Sequence, residues 1–532
     1  MSRIYGLSGS GMDVDAIVKS LMTAQRASSA GLTQKKTVLE WKKTAYNSIY
    51  TDISNFRNSV FNYKLGATLN PKAVSSSNTS VATATALADA GNISHSLVVS
   101  QLADGVKLTS SSTITTGATG TIATQLGVAA TAFDITVKNG TATKTITVDP
   151  STMTLNDLVS KINSSGTNVQ ASYDTTLDRF FLSTTNSGST AGISLSGNSN
   201  ANDFIAKLKL GMTMTSSTDS AVPPVTTYTH TSGNGKDAQF TLDGQALTQS
   251  SNKFTIASVV YNLTSTTPYT NIQDPNDSTK TILGQQATTI AVTSDIDKTV
   301  ANIKSLVESY NTILASLNAK LDEARYSSYL PLTDDQKSSM SDDDITAWNV
   351  KAKSGMLYHD TTLNSLVTSM RNAFANPVTG ITGQYTSTAS IGFSTGAYTE
   401  KGKLYLDETK LRTAITNDPT VLTKVFATVG TTTTVDGKTK ANTQTQGIAA
   451  RLYDTLQATM DILSTKSGTT ATATTDTKSD IAKQMAEYTK RIAAAKVRDD
   501  DMESAYYAKF NAMETAFSKL SKQSSWLSQQ LG

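Results

Sequence analysis

The sequence predicts an α+β multidomain chain whose N- and C-terminal helices pair as a coiled coil or bundle, with β-rich domains inserted between them. Three observations predict this. Both ends carry apolar residues at helical spacing, the middle alternates with a period of two, and 532 residues exceed what one hydrophobic core supports.

Residues 1–11 (MSRIYGLSGSG) are rich in Gly and Ser and read as flexible until bound. No strand precedes Gly6, Gly9 and Gly11 and no Lys-Ser/Thr follows them, so they do not make a phosphate loop. Asp13 or Asp15 opens the first helix, with a carboxylate at the positive end of its dipole. Its stripe is Ile17, Leu21 and Ala24, then Leu39, Tyr46, Ile49, Ile53, Phe56, Val60 and Tyr63. Ala27–Gly31 (ASSAG) is a weak point, which predicts two helices or one bent helix before the end near Leu65. At the other end, Ile481, Met485, Tyr488 and Ile492 start a second stripe. It resumes at Met502, Tyr506, Phe510, Met513, Phe517, Leu520, Leu527 and Leu531. An unbroken helix over 480–532 would be roughly 75 Å long. So narrow a stripe requires a partner helix, and the first helix is the evident one.

From Lys72 the period changes to two. Val81, Thr83 and Thr85, then Leu97, Val99 and Leu102, predict strands. Thr109–Thr121 reads as a Ser/Thr/Gly linker. Phe133, Ile135 and Val137 and then Ile146 and Val148 flank Asn139-Gly140, a hairpin signal. Thr154 with Asp157 predicts a capping box for a helix over 155–163. Strands follow at Val169–Tyr173 and Phe180–Ser183, a Val222–Val225 turn region leads out, and Asp243-Gly244 turns the next pair of strands.

Helical period returns at Ser294. Ile296, Val300, Ile303, Val307, Tyr310, Leu314, Leu317 and Leu321 step alternately by four and three. The acidic segment Tyr326–Asp344 reads as helix starts, with Ser341 capping 345–353; it lacks the Gly and terminal Glu of a calcium loop. Further helices are predicted over 363–374, 407–429 (kinked at Pro419) and 448–463, with a hairpin around Lys401-Gly402-Lys403. Thr431–Asn442 and Gly468–Thr477 read as polar loops.

Composition narrows the function. Lys+Arg number 46 against 43 Asp+Glu, without a basic stripe interleaved with aromatics, which argues against nucleic acid. There is no cysteine, hence no disulfide or thiolate chemistry. No run reaches the ~18 apolar residues of a membrane span, and the N-terminus lacks the apolar region of a signal peptide. The three histidines, His95, His230 and His359, are scattered and form no Ser-His-Asp ordering. No catalytic, cofactor or metal site is expected.

Several segments carry a resemblance. Gly9–Val18 (GSGMDVDAIV) and Gln25-Arg26-Ala27 resemble the start of the bacterial flagellar filament cap family, also called hook-associated protein 2. Val98–Ala103 (VVSQLA), Lys161-Ile162-Asn163 before Val169-Gln170-Ala171, and Phe240–Asn252 are similar to its β-rich segments. Gly355-Met356-Leu357, Ser390-Ile391-Gly392 and Gly402–Glu408 resemble its helical domain. The resemblance implies a structural protein without a cofactor, at the tip of the flagellum outside the cell. It implies export through the flagellar type III route without a cleaved signal peptide, aided by a chaperone holding the C-terminal helix. A homo-oligomeric ring would contact flagellin and the hook–filament junction protein, guide flagellin insertion and prevent its loss, and in some species adhere to host mucus. The implied domains are a leg (1–40 and 485–532) and a helical domain (41–71 and 294–484). Beyond these come a first β-rich domain (72–120 and 236–293) and a second (121–235). A hook–filament junction protein or an unrelated extracellular adhesin are the alternatives.

The candidate assembly residues are Ile17, Leu21, Tyr46, Ile49, Ile53, Phe56, Met502, Tyr506, Phe510, Met513, Phe517, Leu520 and Leu527. They form either an intramolecular coiled-coil core or, in part and beside Trp526, a contact for flagellin or the chaperone. With the helices antiparallel and their outer ends roughly level, Lys42 and Lys43 are expected near Asp499, Asp500, Asp501 and Glu503. These charges either set the register or are solvated faces.

Overall fold

Asp13 starts the first helix by accepting a hydrogen bond from the Ala16 amide (2.9 Å). Helix α1 (Val14–Lys64) then runs unbroken for 51 residues. It does not break at Ala27–Gly31: Ser29 Oγ donates both to the Arg26 carbonyl and to Asp499 of the C-terminal helix, so tertiary contact outweighs weak propensity. The computed structural model describes residues 13–117, 119–221, 223–274, 277–435, 438–469 and 475–531. The Gly-rich start (1–12), Val222 and positions 470–474 of the second polar loop lie outside the described residues. The chain divides into two units, Met1–Asn70 with Ile296–Gly532, and Pro71–Asp295.

The Pro71–Asp295 unit holds two β-rich cores. In the first, Lys72–Ser76, Thr288–Ser294, Ser94–Gln101, Ala238–Leu242 and Gln245–Gln249 form one antiparallel sheet in that spatial order. It packs on a three-stranded sheet of Lys253–Ile256, Val259–Leu263 and Ala82–Ala86 through Leu97, Phe240, Tyr261 and Ile290. Phe240 and Phe254 stack with centroids 4.7 Å apart. Asp243 and Gly244 both have positive φ, the geometry their hairpin requires.

The second core surrounds Phe133, Phe180 and Phe204. It contains α2 (Ile122–Leu126), α3 (Leu155–Asn163) and α4 (Ser199–Lys207). The capping box of α3 forms as expected, with Thr154 and Asp157 exchanging hydrogen bonds. The chain enters this core earlier than expected. Asp104 bridges to Lys236, Lys107–Thr109 pairs with Arg179–Thr184, and Ile114 is buried among the second core's residues. The stretch 106–117 therefore belongs with the second β-rich core and not the first, because Val106 and Ile114 need that apolar cover.

The remaining helices are α5 (Ile296–Asp322), α6 (Asp334–Ser338), α7 (Asp342–Lys353), α8 (Thr361–Ala375), α9 (Glu408–Asn417), α10 (Ile448–Ser467) and α11 (Asp480–Leu531). The expected single helix over 407–429 is two pieces: α9 stops before Asp418, whose extended backbone is what a following proline demands, and a short helical turn follows at Thr423–Ala427. Within the expected polar loop, Thr432–Val435 pairs with Lys438–Ala441, consistent with the β preference of branched residues. The C-terminal half of α1 packs with α5, α8 and α10 around Ile49, Ile53, Val60, Tyr310, Leu366, Met370 and Leu456, each at most 1% exposed.

Candidate assembly interface

Helices α1 and α11 are antiparallel along their outer stretch. Val14, Val18 and Met22, each 1% exposed, lie against Met502, Tyr506, Tyr507 and Phe510. Steps of four place those three α1 residues on one line, and the stripe expected at Ile17 and Leu21 flanks it. Ile17 is half-buried and Leu21 is 42% exposed, a correction of one position in the seam. Polar contacts fix the register. Tyr507 donates to Asp15 Oδ1 (2.7 Å), Arg26 Nη2 pairs with Glu503 (2.6 Å) and Ser29 Oγ donates to Asp499 Oδ2 (2.8 Å). Asp499 is buried, and its Oδ1 has no partner among the described residues.

This register corrects the expected charge patch. Asp499 and Glu503 face Ser29 and Arg26, whereas Lys42 and Lys43 lie more than three turns further along α1, roughly 20 Å away. Asp500 and Asp501 are exposed. The Lys42 ammonium lies 5.8 Å from the centre of the Tyr46 ring. Lys43 instead pairs with Asp476 (3.0 Å) in the turn leading into α11, with both side chains at most 10% exposed. Burial pushes the Asp476 pKa upward. Hydrogen bonds from the Ser479 hydroxyl (2.5 Å) and amide (3.0 Å), Lys43 and the Lys478 amide outweigh it and hold the carboxyl far below the usual range. The missed signal was Asp476-x-x-Ser479 directly before a helical stripe, a capping pattern.

Tyr46, Ile49, Ile53 and Phe56 do not meet the α11 residues Met502–Leu527. They are buried in the bundle, where Tyr46 donates to Asp360 (2.6 Å) and Phe56 meets Tyr310 edge-on at 6.3 Å. Burial, then the Asp360 hydrogen bond, raises the Tyr46 pKa. Helix α11 enters the same core at Ile481, with Met485 beside it. Further out, Met513 is half-buried, and from Thr515 to Gln530 every side chain is exposed. Phe517 (49%), Leu520 (59%), Trp526 (57%) and Leu527 (53%) are among them. The expected stripe thus exists along α11, covered from Ile481 to Phe510 and open from Thr515 onward.

Among the described residues no cluster of His, Asp or Glu could hold a metal ion, and no helix is long and apolar enough to cross a membrane.

The chain matches the family model "Flagellar hook-associated protein 2 N-terminus" over residues 10–106 and its C-terminal counterpart over residues 235–522, more than half of the chain. It belongs to the flagellar hook-associated protein 2 family. A "Flagellin hook IN motif" matches residues 132–186, within the second β-rich core. Flagellar hook-associated protein 2 of Halalkalibacterium halodurans is 27% identical over 559 aligned residues covering 99% of each chain. That of Escherichia coli O157:H7 is 25% identical over 546, covering 100% of this chain and 98% of the relative. The crystal structure of the D1-D2-D3 domains of the flagellar cap protein FliD from Escherichia coli superposes with a TM-score of 0.51 at 19% identity. It covers 84% of this chain and 99% of that one, a likeness of fold. The hook-associated protein 2 family is structural and caps the flagellar filament, attending the insertion of flagellin at its tip.

Proposed function

We propose that this chain assembles into a homo-oligomeric ring on the tip of a flagellar filament, holding flagellin there until each subunit is inserted. The observation that carries the reading is the contrast along α11. Its start is anchored in the bundle by Ile481 and the buried Lys43–Asp476 pair, and its end carries Phe517, Leu520, Trp526 and Leu527 in the open. A helix anchored at one end, with a narrow apolar stripe uncovered at the other, is suited to enter and leave a gap between neighbouring subunits.

In this reading residues 1–40 and 485–532 act as the leg, 41–71 with 294–484 as the helical domain, and the β-rich cores as the plate. The same exposed stripe would be held by an export chaperone before passage through the flagellar type III route. At the filament's base the hook–filament junction protein would be a partner. No catalytic role is assigned. His95 is bonded to Asp243 (2.7 Å) and His230 to Asn202 (2.9 Å), where burial lowers the His230 pKa; neither bond reaches a nucleophile.

Deleting the coding region in the source bacterium tests the reading. Flagellin shed into the medium from cells bearing hooks without filaments is expected, with rescue requiring residues 480–532. Normal filaments and motility would contradict it.

A further inference from the structure

Helices α8 and α10 run antiparallel. Lys466 Nζ donates to Thr362 Oγ1 (2.9 Å) at one end, and Arg451 Nη1 to the Asn376 carbonyl (2.7 Å) at the other. Their outward ridges carry Ser365, Ser369 and Asn372 on α8 and Thr455, Ala458 and Ile462 on α10. Between them lie two hollows of about 440 and 260 Å³ that share Ser369 and Thr455, so they form one groove. From Thr362 to Asn376 it is roughly 21 Å long, enough for a helix of three to four turns.

Arg451 gives the groove a polarity, because Lys466 at the other end already has Asp360 as its acid (3.7 Å). It lines one end, is only 6% exposed, and its Nη atoms donate to the carbonyls of Asn376, Pro377 and Gln444. Its Nε has no partner among the described residues, no carboxylate there pairs with it, and no acid lines either hollow. A buried cation solvated only by neutral oxygens favours a carboxylate brought to that end. The other end offers Ile462, an apolar side chain 49% exposed.

One helix of this chain has the matching face. Helix α7 is 12 residues, roughly 18 Å, long. Asp343, Ala347 and Val350, at steps of four and three, line one exposed side, and Val350 is 67% exposed. Asp342 and Asp343 at its start make no ion pair among the described residues. We propose that the α8–α10 groove receives α7 of a second copy, with its aspartates toward Arg451 and Val350 toward Ile462. The groove and the ridge are different surfaces, so the contact repeats head to tail, as a ring requires. The inference rests on the homo-oligomeric reading above.

The absence of cysteine makes a direct test available. Full-length protein carrying Ala347→Cys and Ala458→Cys, mildly oxidised, is expected to give a ladder of covalent oligomers. Each single variant, and an Ala347→Cys/Thr143→Cys control, is expected to give none. Adding Asp342→Lys and Asp343→Lys is expected to abolish the ladder. Val350→Asp is expected to weaken association about tenfold by sedimentation with an unchanged circular dichroism spectrum. No ladder, a ladder from Ala347→Cys alone, a bond within one chain, or a bond from Ala458→Cys to flagellin instead would each overturn the proposal. A ring held by other contacts would still cap filaments, so failure here is separate from failure of the capping reading.

Discussion

Between Tyr46 and Tyr63 helix α1 is sealed among α5, α8 and α10, whereas between Val14 and Met22 it is covered along a single line by α11. Composition does not separate the two halves; the number of covering elements does. In the bundle a side chain meets neighbours on several helices, and removing it leaves a hole they cannot all close. In the outer pair the partners Met502, Tyr506 and Phe510 are themselves only partly buried and can settle onto a gap. A single rigid rod therefore carries a fixed end and an end whose contacts are few enough to exchange.

Substitutions should expose that difference. The largest effect is expected from Ile53→Ala in the bundle, about 3 kcal/mol of stability by chemical denaturation. A loss below ~1 kcal/mol would mean that the bundle is as loosely packed as the outer pair. Lys43→Ala should cost about 2 kcal/mol, since it leaves Asp476 without its cation in a nearly closed site. The pair also carries a pH signature. The folded Asp476 carboxyl binds a proton less readily than the unfolded one, so the unfolded state takes up more protons in acid. Its contribution is complete above about pH 5 and is lost as pH falls below about 4. Asp476→Asn should flatten stability between about pH 5 and 2.5; an unchanged acid limb would remove Asp476 from the account.

Smaller effects belong to the outer pair. Val18→Ala should cost about 1 kcal/mol locally, read as faster amide exchange over residues 14–30, and leave bundle unfolding where it was. A double-mutant cycle on Arg26 and Glu503 should give about 0.5 kcal/mol, vanishing in about 1 M salt. A coupling several times larger would make this one ion pair, rather than the polar contacts acting together, the source of register.

The two halves of α1 also differ in how far the sequence revealed them. The long 3,4 series from Tyr46 to Tyr63 named buried residues correctly, because a stripe enclosed by several helices is broad and tolerant of small errors of phase. The partners of that stripe were less legible: Tyr46, Ile49, Ile53 and Phe56 pack with α5, α8 and α10, since helical spacing shows that a face is covered without naming what covers it. In the outer half the short run Ile17, Leu21 and Ala24 sets the expected stripe, yet Val14, Val18 and Met22 stand at similar spacing, and only contact with Tyr506 and Phe510 decides. Register was hidden for the same reason. Placing the helix ends level put Lys42 and Lys43 beside the acids, but the offset is set by side-chain contacts near Arg26 and Ser29. The α3 capping box and the Asp243-Gly244 hairpin were legible outright, because their chemistry is local, whereas the hairpin expected at Asn139-Gly140 turns one position on, at Gly140-Thr141, with Asn139 paired to Ala142. The early crossing at Asp104 was not, since a Ser/Thr-rich stretch with one isoleucine resembles a linker until its neighbours are known.

Amide hydrogen exchange along α1 in the full-length protein tests the fixed-end, free-end account most directly. Protection near the global stability is expected from about Tyr46 to Tyr63, falling by at least two orders of magnitude toward Val14 with a step between Ser29 and Lys43. Uniform protection from Val14 to Tyr63 would contradict the account, because the outer pair would then be as firmly held as the bundle.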